Sequence, residues 1–405
     1  MKHLKTFQGR LFTVHNTFFF MRIAFAMINC NRRDGSARAV NEVAERLARR
    51  HEVHLYARQV TDLDLAQIHW HPVPGVSWAE VADFGSYYAV VNSLLMNEKY
   101  DVVHSIGCNT QKGNVITIQN IQPAKKKILD RLGRDEKISP ARRLSRWLYL
   151  QATCAAEKRL YQHRPNRKPL MFLPVSRGVE AELRQYYNIG NASVRIVPNA
   201  ADTVRFKPLA EDARASWRLS NGLDDKALVA IFAGGEWARK GLDFAIKAMG
   251  LLRDLPLILY VAGDDPDRAR FMALAQEVGA ADKVVFGGFR KDIPEALGSA
   301  DLFLFPSWYE AFSLATLEAA ACALPVVATR INGTEDFIVP DQNGDFIEHN
   351  AEHIAATLRR LCFQRDSLRR MGGNARRLVE ANYTWDRVTE MTENAYLEYL
   401  ESSAG

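Results

Sequence analysis

The chain has 405 residues, 47% hydrophobic and 25% charged, with a formal net charge of +6. That length exceeds one ordinary core, so two domains are expected, and the balance is globular rather than disordered or membrane-spanning, with no run of about 18 apolar residues. Five cysteines, odd in number and without paired or metal-ligand spacing, exclude a disulfide framework and point to free thiols in a reducing cytoplasm.

Residues 1–20 lack periodicity. They set Lys2, Lys5 and Arg10 beside Phe18-Phe19-Phe20, and the apolar stretch is too short for a signal peptide. Met21 reads as a natural start, with 1–20 as an upstream leader; the alternative is an interfacial anchor using the phenylalanines. Arg22-Ile23-Ala24-Phe25-Ala26 reads as a buried strand. A turn holding Gly35 and Ser36 follows, then a helix with Ala37, Val40, Val43, Ala44 and Leu47 on one face. His51–Ala57 is the next strand, so the chain opens as a βαβ unit without a GxGxxG fingerprint. Further strands are expected at Asp101–His104 and Val115–Ile118.

Residues 124–168 hold 14 Lys plus Arg against 4 Asp plus Glu. Leu144, Trp147 and Leu148 stand among the charges, a mixture suited to an anionic headgroup layer or an anionic glycolipid. A solvated face is the plain alternative. Nucleic acid is not expected, since zinc-finger and RNP signatures are absent. Pro174-Val175-Ser176 ends a strand and opens a helix, and Val194–Asn199 leads into another turn.

Leu228–Ala233 is a buried strand that gives way to Gly234-Gly235, then to Arg239-Lys240-Gly241 before a helix. Arg offers a planar fork and Lys a mobile point charge, a natural pair for a diphosphate at a sheet's carboxyl edge. Strands at Leu257–Ala262 and Val284–Gly288 follow, the latter running into Phe289-Arg290. Phe303-Leu304-Phe305-Pro306 then reads as a strand end, Glu310 as a loop carboxylate, and Ser313 as the N-cap of an apolar helix. A helix start of this kind suits a phosphate at Ser313 and Leu314. Glu318, a turn further in, is placed to accept hydrogen bonds from neutral hydroxyls such as a ribose, and Glu310 from a second hydroxyl-bearing group. A βα unit with two solvated glutamates is the alternative.

Glu310 and Glu318, with Phe305-Pro306-Ser307 and Asn332-Gly333-Thr334, resemble the paired-glutamate motif and flanks of the retaining family 4 glycosyltransferases. The resemblance covers most of the chain from Met21 onward. Within that family it is similar to enzymes that add a sugar to the lipopolysaccharide core. The resemblance implies the α/β GT-B fold: two doubly wound Rossmann-like domains facing a cleft. An N-terminal acceptor domain would span residues 21–198, and a nucleotide-sugar domain 199–381, with the hinge near 199–210. A helix over 382–405, capped by Thr384, would cross back onto the first domain.

Family pattern also implies roles for single positions. Lys240 matches the phosphate-binding lysine; an arginine common after the glycine is replaced by Gly235-Glu236, so Arg239 takes over that role. Phe289-Arg290 would lie against the base. Only Gly35 of a usual glycine pair is present, followed by Ser36, at the turn that approaches the donor. His104 would face the donor sugar, with a buried structural histidine as the alternative, and Gln119-Asn120 stand where some relatives have His-Asp. Asn114 replaces an aspartate found in core glucosyltransferases.

Departure of a sugar from a diphosphate needs the leaving group's growing charge neutralised by a metal or by protein cations. Two Asp-x-Asp sequences occur, Asp62-Leu63-Asp64 and Asp265-Pro266-Asp267, and neither resembles a family motif. Metal-independent transfer without a cofactor is therefore expected, with Arg239, Lys240 and Glu310 catalytic. The donor would be a nucleotide sugar, UDP by family habit, and the acceptor a saccharide or glycolipid. The site would be peripheral on the inner face of the cell membrane through residues 124–168. A non-catalytic GT-B subunit and a GT-B epimerase are the alternatives.

Overall fold

The computed structural model describes residues 4–7, 10–13, 20–32, 35–131, 140–163 and 168–404. Phe18 and Phe19 lie outside these residues, as do 132–139 and 164–167 of the basic segment. Before Met21, where the sequence shows no periodicity, Leu4–Phe7 pairs antiparallel with Arg10–Thr13.

Two parallel sheets make up the rest. The first has seven strands, running Ser193–Val194, Met171–Pro174, Val115–Ile118, Val102–Ile106, Arg22–Ala26, Glu52–Ala57 and Ile68–Pro72 across its width. Its inner strands are mostly apolar because helices cover both faces, as a parallel sheet requires, with His104 and His54 among the buried polar exceptions. The second has six strands: Val284–Gly288, Leu257–Ala262, Leu228–Ala233, Leu302–Phe305, Val326–Thr329 and Gly344–Ile347. In chain order within the sheet this is 3-2-1-4-5-6, the doubly wound arrangement that opens a crevice where the order reverses. In each sheet the reversal lies beside its first strand, and the two crevices face each other.

The helix Trp385–Ala404 crosses back onto the first sheet's side. Trp385, Val388, Tyr396 and Leu400 join the core that holds Ile23, Phe25, Val40 and Leu47. Thr384 caps it, its Oγ1 accepting from the Arg387 N–H at 3.3 Å. Trp385 is 1% exposed, so its truncation to alanine removes one of the largest apolar groups binding this helix, about 3–5 kcal/mol.

Candidate active site

Strand ends set the site. After Leu228–Ala233 the chain turns through Gly234, whose φ of 119° lies where a side chain is strained. A Cβ there would also sit 2.8 Å from Lys240 Nζ. Glycine is thus what lets the lysine lie back across the turn. Lys240 Nζ rests 5.0 Å above the Phe305 ring and 3.6 Å from Glu310 Oε1. Arg239 donates to the same Oε1 at 2.8 Å and to Glu236 Oε2 at 2.8 Å. Two cations therefore converge on one carboxylate at the carboxyl edge of the sheet, all three side chains half-buried.

Ser313 is the N-cap of Leu314–Ala321, its Oγ accepting from the Thr316 N–H at 3.3 Å. Gly35 opens the helix Gly35–Ala48 of the first domain. A Cβ on it would come 3.4 Å from Leu314 Cδ1, so the first domain's turn touches the second domain's helix start.

Glu318 is buried, and Arg38 of the first domain donates to its Oε1. Burial pushes the Glu318 carboxyl up, and the Arg38 guanidinium works against that shift. Arg38 is a site residue that sequence reasoning missed. Asn199 is another: its Nδ2 donates to the Phe312 carbonyl at 2.7 Å, and its Oδ1 accepts from Gln119 at 3.0 Å.

These groups surround a cavity of about 410 Å³ between the domains. Gly35, Ser36, Arg239, Lys240, Glu310, Ser313, Leu314 and Glu318 all line it, as do Gln119, Asn120 and Lys125. Ser36, Gln119, Asn120, Lys125 and Glu236 also line an adjoining cavity of about 610 Å³, walled by Glu80, Asp83, Arg146 and Glu157 of the first domain. Neither Asp-x-Asp sequence lines either cavity. Asp265 instead accepts from the Trp237 N–H at 2.9 Å.

Other positions singled out in the sequence lie away from both cavities. His104 is not at the cleft: it is buried, its Nδ1 2.5 Å from the Tyr396 hydroxyl and its Nε2 2.7 Å from Thr117 Oγ1. Burial lowers it to about 3, so it is a neutral structural group that docks the terminal helix. Asn114 serves the backbone, its Oδ1 accepting from the Val103 N–H at 3.0 Å. Phe289 and Arg290 do not line the cavity; Phe289 is 76% exposed and Arg290 is held by Asp292.

Two facing Rossmann-like domains with a dibasic, twin-carboxylate crevice define the GT-B class of sugar-nucleotide proteins. Residues 33–205 match the Glycosyltransferase Family 4 model and residues 213–378 the Glycosyl transferases group 1 model. The chain belongs to this glycosyltransferase family. It is 28% identical to an uncharacterized glycosyltransferase of Methanocaldococcus jannaschii over 56% of this chain and 60% of that one. It is also 28% identical to the lipopolysaccharide glucosyltransferase WaaG of Escherichia coli, over 49% of this chain and 55% of that one. The chain thus matches little more than half the length of these curated relatives. The crystal structure of WaaG, a glycosyltransferase of lipopolysaccharide biosynthesis, superposes with a TM-score of 0.74 at 24% identity, over 93% of this chain and 99% of that one. HepE of Anabaena in complex with UDP and glucose gives 0.70 at 16% identity, over 93% of this chain and the whole of that one.

Proposed function

We propose that the chain is a retaining, metal-independent hexosyltransferase. It moves a sugar from a nucleoside diphosphate, UDP first, to a saccharide or glycolipid acceptor in cell-surface polysaccharide or lipopolysaccharide synthesis. The observation that carries this reading is that Arg239 and Lys240 both meet Glu310, and that these three line one interdomain cavity with the Ser313-capped helix start.

The diphosphate takes the positive wall. Arg239 and Lys240 neutralise the charge that grows on the β-phosphate as the anomeric C–O bond breaks. A bound diphosphate gives both cations another anion, which leaves Glu310 for the hydroxyls of the transferred sugar. Glu318, further into the helix, takes the ribose hydroxyls. The acceptor oxygen attacks from the side the phosphate leaves, its proton passes to the departing phosphate oxygen, and configuration is retained. The adjoining larger cavity takes the acceptor, with Ser36, Gln119 and Asn120 at the junction.

Membrane association rests on the helix Pro140–Tyr161. Leu144, Trp147 and Leu148 on it are 57%, 52% and 40% exposed, and their i, i+3, i+4 spacing puts them on one face. An apolar face with a tryptophan, flanked by cations, suits the headgroup layer of an anionic inner leaflet.

UDP release from UDP-hexoses, with a lipid-linked saccharide present and with EDTA added, tests the reaction. Turnover that persists in EDTA and gives a product of unchanged anomeric configuration supports it. Turnover abolished by EDTA and restored by a divalent ion, or an inverted product, contradicts it.

A further inference from the structure

The far end of the first sheet carries a group of side chains that the donor and acceptor cavities do not use. Two adjacent parallel strands each present ligand-type residues at i and i+2 on one face: Glu52 and His54 on Glu52–Ala57, His69 and His71 on Ile68–Pro72. The pleat puts alternate residues on one side, and His54 lies directly opposite His69 in the register. One ligand atom from each of Glu52, His54 and His69 falls within 4.8 Å of the others. His54 is buried and its ring stacks on His69, centroids 4.9 Å apart.

We propose that Glu52, His54 and His69 bind one borderline divalent transition-metal ion of the zinc kind. Two imidazoles and a carboxylate form a set that zinc accepts, with a fourth position left for water. Next-neighbour groups also fit. Glu52 Oε1 accepts from Arg22 Nε at 2.9 Å, which fixes the carboxylate. His54 Nε2 lies 2.8 Å from Glu52 Oε1, and His54 Nδ1 lies 2.8 Å from His71 Nε2. An ionised carboxylate only accepts, so His54 carries its proton on Nε2 and takes one from His71 on Nδ1. An ion at Nε2 moves the His54 proton to Nδ1, where His71 accepts it and holds its own proton on its other nitrogen. Both rings stay neutral, the ligating form, and His71 orients the ligand.

The site's place in the sheet gives it a role. Glu52 and His54 lie at the amino-terminal end of their strand, whereas the cleft is built on carboxyl ends. Among the described residues, Ile68–Pro72 is an edge strand that pairs only with Glu52–Ala57. An ion bridging the two would pin that edge without touching the transfer reaction. The inference is independent of the proposed function.

Calorimetric titration of the full, chelator-dialysed chain with zinc chloride tests it, with magnesium chloride as the hard-cation control and visible absorption of a cobalt(II) complex as a second readout. The expected result is one zinc site per chain, no magnesium site, and a cobalt band. His69→Ala removes an exposed ligand and should abolish the band; His71→Ala should weaken affinity by about 10–100-fold. Far-UV circular dichroism and a cooperative thermal melt like those of the wild type show that both variants are folded. No zinc binding by the wild type, or equal binding by His69→Ala, overturns the proposal and leaves the stacked histidines as packing alone.

Discussion

Arg38 of the first domain and Glu318 of the second form a buried ion pair across the cleft, with side chains 13% and 10% exposed. It sits beside the Gly35–Leu314 approach, so an apolar and a charged contact between the domains stand together at the interdomain cavity. A buried carboxylate left without its cation is costly. Arg38→Ala should lose about 3–5 kcal/mol of stability in denaturant melts. Adding Glu318→Gln should recover part of that loss, since the uncompensated charge goes with it. Strictly additive losses would show that the two residues do not interact in solution.

Glu310 and Lys240 share a contact but divide the work. Glu310→Gln keeps the diphosphate's cations and should lower kcat by about 100-fold or more with little change in donor binding. Lys240→Ala should instead weaken nucleotide binding, read as a smaller thermal shift with UDP. A Glu310→Gln enzyme with unchanged kcat and weak donor binding would reverse the assignment.

Much of this site is local in sequence and was readable there. Gly234 to Lys240 and Pro306 to Glu318 are each a strand end, a turn and a helix start, so residue type and spacing place them. Arg38 was not readable, because its partner lies 280 residues away and its own helix shows only an apolar stripe. His104 misleads for the same reason. It stands near a strand's carboxyl end, but Tyr396, 292 residues on, claims one nitrogen and turns the ring inward. The basic segment was legible as charge mixed with apolar residues, but not in how its side chains are turned. Its helices divide it, turning Lys125 into the cleft while Trp147 faces outward.

Glu157, which walls the larger cavity, is 1% exposed and accepts from the Tyr187 hydroxyl at 2.8 Å. Burial pushes its carboxyl up to about 8. The folded state therefore keeps a proton that the unfolded chain releases near its ordinary value of about 4.3. Stability from this group is whole at acid pH and falls as pH rises from about 4.3 towards 8. Glu157→Gln should remove that decline, so the difference in melting temperature between variant and wild type grows across this window. A pH-independent difference would mean that Glu157 is ionised in the fold.

Replacing Trp147 and Leu148 with glutamate should abolish flotation with vesicles rich in anionic lipid and leave transfer to a soluble acceptor intact. Neutralising Lys126 and Lys127 should weaken flotation at low salt. Unchanged flotation in both variants would remove this surface from the account.

The central claim is a metal-independent nucleotide-sugar cradle built by Arg239, Lys240, Glu310 and Glu318. Thermal unfolding with UDP, GDP, ADP and UDP-hexoses, each with and without EDTA, tests it most directly. A ligand at a hundred times its Kd adds about 2.7 kcal/mol. The account predicts a shift selective for one nucleotide, equal in EDTA, and smaller in Lys240→Ala. No shift with any nucleotide, or a shift that EDTA removes in wild type and His69→Ala alike, would contradict it.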